Sequence, residues 1–171
     1  MNKSLSAKSG APQVTTLDAA LKNLQIITLA LIMGPVVFAV VITIIREFKF
    51  DGDLLGNPLT LIAAVMGCSA IVLSFVLPAQ ILKGALNKAE TIDEPWMAQN
   101  FLTSGIIRLA VVEGAGMLNL VAWLMAGSII SPIVAAFTVF TMMIHFPTQA
   151  KVQQFRKICQ ESMAYRGIST D

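Results

Sequence analysis

Residues 105–127 read GIIRLAVVEGAGMLNLVAWLMAG, an apolar run interrupted by Arg108, Glu113 and Asn119. At 1.5 Å per residue such a run spans the roughly 30 Å hydrocarbon core of a bilayer as one helix. An ionisable side chain near the bilayer centre costs roughly 2.5–3.5 kcal/mol on insertion scales, so it normally faces protein or an aqueous path. Glu113 is therefore the leading proton- or ion-binding candidate, with Arg108 and Asn119 as its intramembrane polar companions.

On a helix, Arg108, Val112, Ala115 and Asn119 share one stripe, whereas Glu113 points roughly 140° away with Ala110, Gly116 and Met117. That angle is a poor one for an intrahelical pair. Each charge needs a partner on another helix, another subunit or in water, or Arg108 must snorkel to the headgroups. The plainer alternative is a snorkelling Arg108 beside a protonated, structural Glu113. Ala110, Gly114 and Gly116 remove bulk next to the carboxylate and predict close helix packing there.

Of 171 residues, 56% are hydrophobic and 13% charged, and the mean hydropathy is +0.74. This composition excludes an ordinary soluble domain and predicts an integral membrane protein whose first partner is the lipid bilayer. A net charge of +2 is too small to argue for nucleic acid. Cys68 and Cys159 suggest no disulfide. No His cluster, nucleophile elbow, phosphate loop or Cys-x-x-Cys is present, so no enzyme activity, metal or cofactor is expected.

The all-α reading has four transmembrane helices arranged as two helical hairpins. Residues 1–18 form a polar, mobile tail, 19–147 the transmembrane domain, and 148–171 an amphipathic C-terminal tail. The spans fall at about 24–45, 58–82, 101–126 and 129–147. Gly34 and Pro35 predict a kink in the first span, and the first span is read as a retained helix rather than a signal peptide. Residues 46–57, REFKFDGDLLGN, take the chain out of the membrane, to return at Pro58. Pro78 and Gln80 fall in the last turns of the second span. Thr91-Ile-Asp-Glu94 resembles a capping box ahead of Pro95, which sets Trp96 at the headgroup level. The short SIISP connection after Gly127 predicts a tight antiparallel hairpin. His145, the only histidine, reads as an interfacial residue rather than a ligand. Val152, Phe155, Cys159 and Met163 form an apolar stripe that suits either the membrane surface or the bundle, and residues 164–171 are expected to fray.

Lys3, Lys8, Lys22, Lys83, Lys88, Lys151, Arg156, Lys157 and Arg166 fall on one side of these spans, and only Arg46 and Lys49 on the other. The positive-inside rule then places both termini in the cytoplasm, as in a bacterial inner-membrane protein. The pattern Ile26-Ile27-x-Leu29-Ala30 followed by Gly34 recurs as Ile106-Ile107-x-Leu109-Ala110 followed by Gly114. Two hairpins of common origin would give parallel repeats. In that register Thr28 stands where Arg108 does, and Met33 where Glu113 does.

The run Val111-Val112-Glu113-Gly114-Ala115-Gly116-Met117-Leu118-Asn119-Leu120-Val121-Ala122-Trp123-Leu124 resembles the carboxylate helix of the ATP synthase proteolipid, subunit c, and of the duplicated V-type ATPase proteolipids. The resemblance is confined to this helix. It implies a ring-forming subunit whose carboxylate, here Glu113, binds the translocated H⁺ or Na⁺. Arg108 has no counterpart in that pattern, and no alternating-glycine helix or Arg-Gln-Pro-type loop accompanies it. Two expectations follow. One is a proton- or ion-handling membrane subunit of a homo-oligomer or a larger membrane assembly. The other is a non-catalytic scaffold whose buried polar residues fix helix packing and self-association.

Overall fold

The computed structural model describes residues 16–47, 49, 57–89 and 91–166, and every regular element among them is an α-helix. In chain order these are α1 (Leu17–Arg46), α2 (Pro58–Lys88), α3 (Glu94–Ala126), α4 (Ile130–Ile144) and α5 (Gln149–Arg166). The expected N-terminal tail up to residue 15, most of the 46–57 connection and residues 167–171 lie outside the described residues.

The helix starts follow from capping chemistry. The Thr16 hydroxyl accepts from the Ala19 N–H at 3.3 Å, and the Asn57 side chain accepts from the Leu59 N–H at 2.9 Å, with Pro58 in the first turn. Both side chains supply an acceptor to a helix-start N–H that has no partner within its own helix. At α3 the cap is Asp93, whose carboxylate accepts from the Trp96 N–H at 2.9 Å. Thr91, the expected capping residue, lies outside the helix, because Asp93 sits directly before Glu94 and Pro95 in the first turn. Gly127 closes α3 at φ 71°, donating its N–H to the Trp123 carbonyl at 2.9 Å. That left-handed geometry favours glycine and reverses the chain in three residues.

Three of the helices, α1, α2 and α3, are long and apolar enough to cross a membrane. With 15 residues, α4 spans only about 22 Å and falls short of the hydrocarbon thickness. It counts as a fourth span only together with α5, from which it is bent by 69°. The helices also overrun the expected spans at one end. α1 begins at Leu17, α2 continues to Lys88 and α3 starts at Glu94, so a bundle about two turns taller than the apolar segments is built there.

α3 is the central helix and packs against α1, α2, α4 and α5. Of its apolar window 44% is buried within the chain, against 17% for α1 and 28% for α2. A large core lies at the overrunning end, where Leu17, Leu21 and Leu24 of α1 meet Phe101 of α3 and Val152, Phe155, Cys159 and Met163 of α5. The apolar stripe of α5 is therefore spent on the bundle. A smaller cluster at the other end joins Ile42, Leu120, Trp123 and Ala135. There Arg46 donates to the Trp123 carbonyl at 2.9 Å, placing a cation on the C-terminal turn of α3. Neither Pro35 nor Pro78 interrupts its helix, and both are buried. α5 runs on to Arg166, two residues beyond the expected onset of fraying.

Candidate functional site

Arg108 and Glu113 lie on the same helix and serve different seams. Glu113 is half-buried against α1, where a Cβ on Gly34 would sit 3.9 Å from its Oε1. A methyl there would make an ordinary van der Waals contact, so the carboxylate lies beside Gly34 without depending on it. Among the described residues Glu113 has neither a hydrogen-bond nor an ion-pair partner, and Arg108 does not reach it. This is what the helical geometry of the sequence predicts.

Arg108 lines a cavity of about 310 Å³ formed by α2, α3, the end of α4 and α5, with Leu24 of α1 completing its wall. Its Nε is buried and has no hydrogen-bond partner. His145 and Lys151 line the same cavity, with Phe75, Leu82, Phe101 and Phe155 among its apolar walls. Among its lining residues no carboxylate occurs. The His145 Nδ1 lies 2.8 Å from the Thr141 carbonyl, which can only accept, so that nitrogen carries hydrogen and Nε2 is the free edge of the ring. The Phe75 ring packs edge-on to it, with centroids 4.7 Å apart. Lys151 donates to the carbonyls of Ile144 at 2.9 Å and Phe146 at 3.0 Å, closing the last turn of α4. Partial burial, aided by the positive charge of Arg108, holds the Lys151 ammonium below the usual lysine pKa.

Asn119 belongs to a third seam. It is fully buried, and its amide donates to Ala63 of α2 at 2.8 Å and to Ala115 of its own helix at 2.9 Å. A Cβ on Gly67 would clash with Val134 and lie 2.8 Å from the Asn119 amide nitrogen. Gly67 is thus the notch that admits both.

The three small residues beside Glu113 divide. Gly116 is buried against Thr138, whose hydroxyl would be 2.5 Å from an added Cβ, so it serves the packing of α3 on α4 inside the chain. Ala110 and Gly114 are exposed, and a Cβ at Gly114 would meet nothing within 4 Å. Only these two remain for contacts with another chain.

Among the described residues no group of three or more His, Cys, Asp or Glu could hold a metal. His145 and Lys151 were not legible as companions of Arg108. The signal that would have found them is the break at Phe146-Pro147, where α5 bends by 69° from α4 and Lys151 comes to line the same cavity as Arg108. Comparison with protein-family models, with curated proteins and with solved structures finds no match.

Proposed function

We propose that the chain is an integral membrane subunit of an oligomeric assembly, in which Glu113 binds and releases a proton or a small cation. The observation that carries this reading is a half-buried carboxylate in the middle of an apolar helix, beside Gly34 of α1, with no cation paired to it among the described residues. A carboxylate retained only to fix packing would be expected to find a donor, because an unmet buried charge is costly. The likeness of residues 111–124 to the proteolipid carboxylate helix supports the same role. In this reading α4 and α5 together complete a fourth span or its cytoplasmic end, the helices form two hairpins, and both termini are cytoplasmic. Ala110 and Gly114, exposed on α3, supply the face on which copies associate.

The experiment is modification of the purified protein in proteoliposomes with a hydrophobic carbodiimide, which attacks a protonated carboxyl in apolar surroundings. Labelling is expected at Glu113, faster as pH falls, and slowed by the cation it binds. Glu113→Gln is expected to abolish labelling and any proton or cation flux while leaving assembly size unchanged. Absence of labelling together with a pH-independent wild type overturns the proposal.

The scaffold reading has one observation of its own. Asn119 ties α3 to α2 across a buried seam through a neutral hydrogen bond, which is how polar groups fix helix register in membranes. It predicts that Glu113→Gln alters assembly size and nothing else.

A further inference from the structure

We propose that the cavity between α2, α3 and α5 binds the phosphate headgroup of an anionic lipid, held by Arg108, His145 and Lys151.

The first argument is electrostatic. Three basic side chains drawn from three different parts of the chain converge on one partly buried space with no carboxylate among its lining residues. Arg108 and Lys151 are each close enough to bear on the charge of His145, and Arg108 on that of Lys151. Like charges repel strongly where the effective dielectric is low, and an anion among them reverses that cost. The second argument is the state of the donors. Arg108 has a buried Nε–H without an acceptor. Lys151 uses two carbonyls and retains one N–H, while His145, whose Nδ1–H is turned to Thr141, donates from Nε2 only when the ring takes up a second proton, which a neighbouring anion favours. A phosphate presents several acceptor oxygens and suits the planar guanidinium in particular.

The third argument is shape and depth. Apart from Ser104 and Gln154 the remaining walls are apolar, and Phe75 and Ile158 at the rim are 59% and 40% exposed. Phe75 continues onto the exposed apolar face of α2 that carries Val72, Leu73 and Val76. An acyl chain leaving the cavity past Phe75 would therefore lie on lipid-facing surface. The cavity also sits where α4 ends, three to four turns along α3 from its capped start. That is the level at which an apolar helix gives way to polar chain, and hence the depth of a headgroup. A soluble anion lacks the chain, whereas a zwitterionic lipid brings its own cation and would not relieve the repulsion.

The test compares the wild-type chain in nanodiscs of phosphatidylcholine alone with nanodiscs containing phosphatidylglycerol. The readouts are the thermal unfolding midpoint and the lipid retained in native mass spectrometry. Phosphatidylglycerol is expected to raise the midpoint and to remain bound at one per chain. Arg108→Gln is expected to lower that retention roughly tenfold, the scale of losing one charge-assisted pair. Arg108→Lys should restore part of it, and Lys157→Gln, outside the cavity, should leave it unchanged. Lys151→Gln is the second variant if Arg108→Gln does not fold. Inorganic phosphate is added to phosphatidylcholine discs as a separate arm. If it reproduces the stabilisation, the phosphate site stands and its occupant is a soluble phosphate rather than a lipid. Equal midpoints in the two lipids, no retained phosphatidylglycerol and no phosphate effect in the wild type overturn the proposal. None of these readouts depends on the role of Glu113.

Discussion

The Asn119 amide on α3 donates to the Ala63 carbonyl on α2 at 2.8 Å, across a contact that only a glycine at position 67 permits. The hydrogen bond and the notch contribute unequally. In membrane helices a single interhelical hydrogen bond is worth about 0.6 kcal/mol on average, whereas forcing a methyl into a packed seam costs about 1–3 kcal/mol. Gly67→Ala is therefore expected to lower stability more than Asn119→Ala does. Reversible unfolding in mixed micelles measures both, and the opposite order would show that the seam relaxes around an added methyl.

Gly116 and Gly114 make a second pair with opposite expectations. Leucine at 116 must displace Thr138 and should lower the unfolding midpoint of the isolated chain. At 114 a Cβ meets nothing within 4 Å and the position is exposed, so leucine there should leave that midpoint unchanged. If copies associate through α3, Gly114→Leu lowers the assembly size in native lipid at constant chain stability. Light scattering and thermal unfolding of the same samples separate the two effects.

Much of the fold was legible in local chemistry. The Asn57-Pro58 start of α2 and the Gly127 reversal each depend on residues adjacent in sequence, and the structure has a helix start and a chain reversal there, whereas the apolar runs form parts of longer helices and the last one is a short helix, α4. The start of α3 was misread because both Thr91 and Asp93 are good caps, and the position of Pro95 decided for Asp93. The docking of α5 was not legible, since a stripe of Val152, Phe155, Cys159 and Met163 suits a bilayer surface as well as a bundle. The overrunning ends of α1 and α3 decide it by offering Leu17, Leu21 and Ala98, beside Phe101, as a surface to cover. The divergence of Arg108 from Glu113 was readable from helical geometry, but the cavity was not. It draws Phe75, Arg108, His145 and Lys151 from four elements, and no local pattern joins them.

Cys159 reports on the docking of α5. Cys159 is fully buried, and burial pushes its thiol pKa up to about 11, whereas Cys68 is exposed on α2. The thiolate is the reacting form, so a raised pKa keeps Cys159 protonated and inert through pH 7–9. A water-soluble maleimide should spare Cys159 in the folded chain and modify it after denaturation. Phe155→Ala removes the ring that packs edge-on against Phe101 at 5.4 Å, at a cost of about 3–5 kcal/mol for a buried aromatic. Loosening α5 in this way should expose Cys159 to the reagent. Unchanged protection in Phe155→Ala would mean that α5 is held by contacts other than this ring.

Arg108 and Glu113 face separate seams, so their removal should be independent within one chain. Sites without shared partners add to within about 0.3–0.5 kcal/mol, while members of one ion pair couple by more. Arg108→Gln, Glu113→Gln and the double variant therefore form a cycle with a definite expectation. In micelles dilute enough to hold single chains, the coupling energy should fall within the additive range. In native lipid, where copies can meet, an Arg108 from one copy reaching Glu113 of the next would appear as a coupling well above it, with the double variant recovering stability that each single change loses. Additivity under both conditions leaves Glu113 without a cationic partner in the assembly, which is the state its proposed exchange of a proton or cation requires. Coupling only in native lipid instead makes the pair an intersubunit lock, and labelling of Glu113 by carbodiimide should then rise in Arg108→Gln.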